Sequence, residues 1–165
     1  MNTIYLAGGC FWGLQKFFDQ FDGVVTTEVG YANGPEQPPT YEDVCHDSGH
    51  AETVKIVYDE GKISLEKLLD YYFMVIDPLS VNKQGHDEGI QYRTAIIYAE
   101  ESQRPAVMTV YKREEEKAGE KLAVAVEPLK NFFSAETYHQ KYLEKNPGGY
   151  CHIPAKYYSV GNKHT

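Results

Sequence analysis

A repeated switch between two hydrophobic periods constrains this chain more than any other feature. Residues 3–6 form a short apolar run closed by Gly8 and Gly9. From there Phe11, Leu14, Phe17, Phe18 and Phe21 recur every three or four positions, up to Gly23. The first pattern suits a strand and the second a helix with one apolar face. The switch then repeats. Residues 24–31 read as a strand, as do residues 53–58, where Val54, Ile56 and Tyr58 share one side. Ser64 is placed to cap a helix carrying Leu65, Leu68, Leu69, Tyr72, Phe73 and Ile76, which Asp77-Pro78 ends. Residues 94–99 read as a strand, 102–118 as a helix with a charged outer face, 123–129 as a strand and 136–143 as a short helix. Residues 33–40 and 81–91 read as loops. Residues 146–165 show no period and read as a mobile tail laid over the surface.

Strands separated by helices imply an α/β (α+β) sandwich: a mixed sheet with flanking helices, a ferredoxin-like βαβ core and a long C-terminal coil. The chain has 165 residues, no internal repeat and no linker, so a single domain over residues 1–165 is expected. Its net charge of -8 disfavours a phosphate-tracking surface for nucleic acid and docking on anionic lipid. No apolar stretch approaches the length of a membrane span. Three cysteines, an odd number, do not suit a disulfide-stapled secreted scaffold. The first nine residues lack the basic start and apolar core of a leader, which points to the cytoplasm. Tyrosines number 14 against 7 phenylalanines, so most must be half-buried packing residues and few can belong to a site.

Four segments concentrate the chemistry. In GGCFWG, residues 8–13, Cys10 sits at a strand-to-helix turn. Unpaired N–H groups there stabilise a thiolate. The glycines admit a close approach to the sulfur, and Phe11 and Trp12 supply apolar walls. The plainer reading is a buried, inert cysteine between core aromatics. In TYEDVC and GHAE, residues 40–45 and 49–52, Glu52 opens a buried strand, where desolvation would keep its carboxyl neutral and able to give a proton. The plainer reading is a surface glutamate. NKQGHDEGIQYR, residues 82–93, is a long polar loop of the kind that carries function or forms a solvated hairpin tip. NPGGYC, residues 146–151, holds Cys151 in a glycine-rich stretch able to bring it to another sulfur.

Together the four segments resemble the A-type peptide methionine sulfoxide reductases, in order and over nearly the whole chain from Tyr5 to Cys151. The resemblance implies Cys10 as nucleophile and Glu52 as acid, with Tyr41 and Tyr92 holding the sulfoxide oxygen beside it. It implies a methyl pocket lined by Phe11 and Trp12, with Asp87 orienting the substrate. Cys151 would be the resolving cysteine, and no later cysteine exists for a second relay step. The implied substrate is the S epimer of methionine sulfoxide, in proteins and free, one enzyme serving each epimer. The implied reductant is thioredoxin, with no bound cofactor, no metal and a monomeric enzyme that repairs oxidative damage.

Two other readings compete. A cysteine acyl-transferase would need a histidine base, for which His50, His86 and His139 are available. Against it, each histidine is expected to be dispensable for most sulfoxide reduction. A zinc-stabilised or peptide-binding module would draw on Cys10, Cys45, His46, His50, Cys151 and His152, whose spacing matches no paired ligand motif.

Overall fold

A computed structural model describes residues 1–35, 39–41, 49–84, 87–146, 153 and 155–159. Its eight strands are β1 (Asn2–Ala7), β2 (Val24–Ala32), β3 (Ala51–Tyr58), β4 (Lys83–Gln84), β5 (Asp87–Glu88), β6 (Ala95–Tyr98), β7 (Ala125–Pro128) and β8 (Phe132–Ser134). Its helices are α1 (Phe11–Asp19), α2 (Leu65–Val75), α3 (Arg104–Ala118) and the single turn α4 (Tyr142–Lys145).

Six strands form one sheet in the order β7-β6-β1-β3-β2-β8, with β6 and β7 parallel and all other neighbours antiparallel. The central four, β6-β1-β3-β2, with α1 after β1 and α2 after β3, are the expected ferredoxin-like core. The crossover through α3 adds β7 in parallel, which makes the sheet mixed.

Alternation decides the faces. Ile4 and Leu6 of β1, Val29 and Tyr31 of β2, and Val54, Ile56 and Tyr58 of β3 all turn toward α1 and α2 in one continuous core. Both helices bury their apolar stripes there: Phe11, Leu14, Phe17 and Phe18 from α1, and Leu65, Leu68, Leu69, Tyr72 and Phe73 from α2. The opposite face carries Tyr5, Ala7, Ala32, Ala51, Ala95 and Ile97, with Phe132 and Leu129 packed over it.

The expected caps are present. The Ser64 side chain accepts the Lys67 N–H at 3.1 Å. Gly119 closes α3 in the left-handed region, at φ 71°.

Four expectations change. Glu52 is not at the start of β3 but inside it, because pairing with β2 continues back to Ala51. The loop over residues 81–91 contains the β4–β5 hairpin and a turn of 3-10 helix, Ile90–Tyr92. Residues 136–143 are not one helix. A 3-10 turn, Thr137–His139, ends before Lys141 adopts φ 56°, and α4 starts afresh.

The tail expected to be mobile is docked where it is described. Ile153 is buried in the main core and Ala155–Ser159 form a 3-10 turn. Gln20 donates to the Tyr157 carbonyl at 2.8 Å, and the Lys16 ammonium lies 4.6 Å from the Tyr158 ring centre.

Candidate active site

The strand-to-helix turn after β1 is built to present one sulfur. Gly9 sits at φ 76°, a conformation that favours glycine, and donates its N–H to the Tyr92 carbonyl at 3.1 Å. That bond ties the turn to the end of the polar loop. Cys10 follows as the N-cap of α1, with extended backbone and no side-chain cap of its own, and is 5% exposed.

The N–H groups that open a helix need acceptors, and here two carboxyl groups from distant segments supply them. Asp87 Oδ2 accepts the Cys10 N–H at 3.2 Å, and Glu52 Oε1 accepts the Phe11 N–H at 3.3 Å. Thus β5 and β3 each deliver a carboxyl group to the start of α1.

Glu52 shows no exposed surface at all. Its register partner across the β2–β3 pair is Tyr31, so the two side chains share the helix-covered face. Burial pushes its carboxyl up to about 8; the Phe11 N–H pulls the other way and the Asp87 charge raises it again. At neutral pH Glu52 is mostly a carboxylic acid. Its second oxygen, Oε2, is buried and has no hydrogen-bond partner among the described residues. A protonated Oε2 is an unspent donor at the head of the nucleophile's helix.

The wall beside Cys10 comes from α1 and from residues 136–142. The Phe11 ring packs between Tyr31, at 5.7 Å, and His139, at 5.3 Å. Trp12 donates its indole N–H to His139 Nδ1 at 3.0 Å and stacks on Tyr142 at 3.8 Å between ring centres. Tyr41 lies with its ring 4.4 Å from His139, and its N–H is accepted by Glu136 Oε2 at 3.0 Å. The other Glu136 oxygen accepts the Tyr31 hydroxyl at 2.8 Å. Desolvation raises the Glu136 carboxyl, but these two hydrogen bonds outweigh it and hold the group below its ordinary range. Tyr92 is tied to the turn by its carbonyl, which accepts the Gly9 N–H, and its side chain packs against the main core.

Thus Cys10, Phe11, Trp12, Tyr41, Glu52, Asp87 and Tyr92, expected from three separate segments, converge around one helix start. Cys151, Cys45, His46, His86 and His152 lie outside the described residues. His50 does not contribute a base. It is buried with Nε2 2.9 Å from the Pro35 carbonyl. His139 is engaged by Trp12 rather than by Cys10. No group of three metal-ligating side chains exists among the described residues. Sequence reading missed Glu136 and Tyr142 and gave His139 only a base's role. Their signal lies in the edge strand β8, which places residues 136–142 against α1 and is too short to declare itself by period.

A buried cysteine at a helix start, with a buried carboxylic acid accepting the next backbone N–H, is an arrangement that suits a thiol enzyme. Comparison with known proteins gives that class its family. Residues 2–163 match the family "Peptide methionine sulfoxide reductase". The peptide methionine sulfoxide reductase MsrA of Clostridium acetobutylicum is 54% identical over 155 residues, covering 93% of this chain and 96% of that protein. The crystal structure of Mxr1 from Saccharomyces cerevisiae in reduced form superimposes with a TM-score of 0.87 at 38% identity, over 90% of this chain and 87% of that one. Mxr1 in complex with Trx2 superimposes at 0.59 with 27% identity, over 85% and 83%. The chain belongs to the peptide methionine sulfoxide reductase family, and its activity is the reduction of methionine sulfoxide.

Proposed function

We propose that this chain reduces the S epimer of methionine sulfoxide, in proteins and as the free amino acid, through a sulfenic acid on Cys10. The observation that carries the reading is Glu52, wholly buried, neutral at physiological pH, and with one oxygen unpartnered among the described residues at the head of the Cys10 helix.

A sulfoxide sulfur becomes electrophilic only when its oxygen is protonated or firmly hydrogen-bonded. Glu52 gives that proton, and the Tyr41 and Tyr92 hydroxyls hold the oxygen beside it, in the manner of an oxyanion hole. Phe11 and Trp12 receive the S-methyl group, and Asp87, fixed by the Cys10 N–H, orients the substrate. The Cys10 sulfur attacks, the oxygen passes to it, and methionine leaves with its sulfur reduced by two electrons. Cys10 is left as sulfenic acid. The Cys151 thiol then condenses with it, forming a Cys10–Cys151 disulfide and releasing water.

A dithiol reductant regenerates both thiols by exchange. The complex of Mxr1 with Trx2 supports thioredoxin in that part. Residues 146–165 would be the segment that carries the resolving cysteine within a single catalytic domain. We place the enzyme in the cytoplasm as a monomer needing no bound cofactor. No helix among the described residues is long and apolar enough to cross a membrane.

The test is single-turnover reduction of the two separated epimers of a methionine sulfoxide peptide, without added reductant, followed by mass analysis of the enzyme. The expected result is loss of the S epimer alone, with a Cys10–Cys151 disulfide in the native chain and oxidation confined to Cys10 in Cys151→Ser. Equal consumption of both epimers, or an enzyme left unoxidised at Cys10, would contradict the proposal.

A further inference from the structure

We infer that His139 is a positioning residue for the reductase, its neutral imidazole holding the Trp12 indole as a wall of the methyl pocket. The inference rests on the proposed pocket role of Trp12 and adds to it the group that fixes that wall.

Indole N–H can only donate, so the 3.0 Å contact from Trp12 Nε1 requires an unprotonated Nδ1 on His139. The ring must therefore carry its proton on Nε2 or lose the bond altogether. The surroundings favour the neutral form. His139 is 1% exposed, and Nε2 is buried with no hydrogen-bond partner among the described residues. Four aromatic rings enclose it: Tyr138 at 4.1 Å, Tyr41 at 4.4 Å, Phe11 at 5.3 Å and Trp12 at 5.7 Å. Desolvation lowers its basicity, and the Glu136 carboxylate opposes that only in part.

The opposite flank of the indole is held by Tyr142, stacked at an interplanar angle of 14°. Trp12 itself is only half-buried, so without these two partners its ring has other rotamers open to it. His139 and Tyr142 both lie in the segment that β8 anchors, so the sheet edge and the pocket wall are mechanically one piece.

The chain has a single tryptophan, which makes Trp12 its own reporter. The experiment compares His139→Phe, which keeps a ring and removes the acceptor, with His139→Gln, whose amide oxygen can still accept. Steady-state kinetics on a methionine sulfoxide peptide and the emission spectrum of Trp12 are read for each, alongside Trp12→Phe. The expected result for His139→Phe is a KM raised about fivefold to tenfold, as loss of one hydrogen bond allows, with kcat within about twofold and a shifted emission. His139→Gln should recover most of both. In a Trp12→Phe background, His139→Phe should raise KM no further.

Unchanged KM and emission in His139→Phe would overturn the inference. So would a fall in kcat at constant KM, which would put His139 in the chemistry. If His139→Phe does not fold, wild-type emission and KM in His139→Gln support the acceptor role, and a displaced emission there overturns it. An unaltered KM in Trp12→Phe would instead refute the pocket role on which the inference rests.

Discussion

At the scale of single residues, the proposed reaction turns on one carboxyl group, Glu52, held against its preference for water. Glu52 has a lower affinity for protons in the unfolded chain, near 4.5, than in the folded protein, near 8. The folded state therefore binds more protons between those limits, and stability falls as pH rises through them. At pH 7 the difference amounts to about 3 kcal/mol carried by this one side chain. Replacing Glu52 by Gln removes the titration while keeping the shape. Glu52→Gln is expected to be more stable than the native protein at pH 7, by up to about 3 kcal/mol, and to lose that advantage near pH 4. Chemical denaturation at both pH values measures it. A variant equally or less stable at neutral pH would mean that Glu52 is not desolvated as described. Stability lost at a catalytic position is the usual mark of a group kept for function.

At the scale of elements, the site is assembled by sheet register and by an edge strand. The Tyr31–Glu52 pairing puts the acid on the helix-covered face, and one step of slip would turn it to the other face. Gly30 shows how tightly the edge is fitted. A β-carbon there would lie 2.4 Å from the Phe133 carbonyl oxygen and 2.5 Å from the Phe132 ring. Gly30→Ala must push β8 off β2, and with it the segment carrying Glu136, His139 and Tyr142. A loss of about 1–3 kcal/mol, hence a Tm lower by roughly 3–10 °C, is expected together with a raised KM. Wild-type Tm and KM would show that the edge yields without disturbing the pocket.

Legibility in the sequence follows the same division. Elements with long, clean periods, such as α1, β3 and α2, could be read directly, because one buried face of each dictates its residues. The three-residue β8 and the two-residue β4 and β5 could not, since their pairing is set by what lies opposite them. Glu52 read alone favours a surface position. Its burial comes from pairing that extends β3 back to Ala51 and from α1 lying over it. The family resemblance singles out Cys10, Phe11, Trp12, Tyr41, Asp87 and Tyr92, whose roles remain part of the proposed function. Glu136 was not legible, because its role is to tie Tyr41 and Tyr31 together across more than ninety residues of chain.

At the scale of the whole molecule, the fold solves two opposed requirements. On the proposed mechanism the sulfoxide oxygen is protonated in a dry site, and Glu52, Cys10, Phe11 and Trp12 lie in or against the main core. On the proposed mechanism the oxidised sulfur is then handed outward; Tyr142 of α4 stacks on Trp12, and Ile153 is buried in the main core.

The central claim is that a neutral Glu52 supplies the proton, and the pH dependence of a single turnover tests it most directly. The rate of sulfoxide loss should fall as pH rises through about 8, where Glu52 ionises. Above that point the decline should be roughly tenfold per pH unit. Glu52→Gln should be slower by roughly 10²–10⁴-fold at pH 7 and lack that decline. A native rate that stays level up to pH 10, or near-normal turnover in Glu52→Gln, would contradict it.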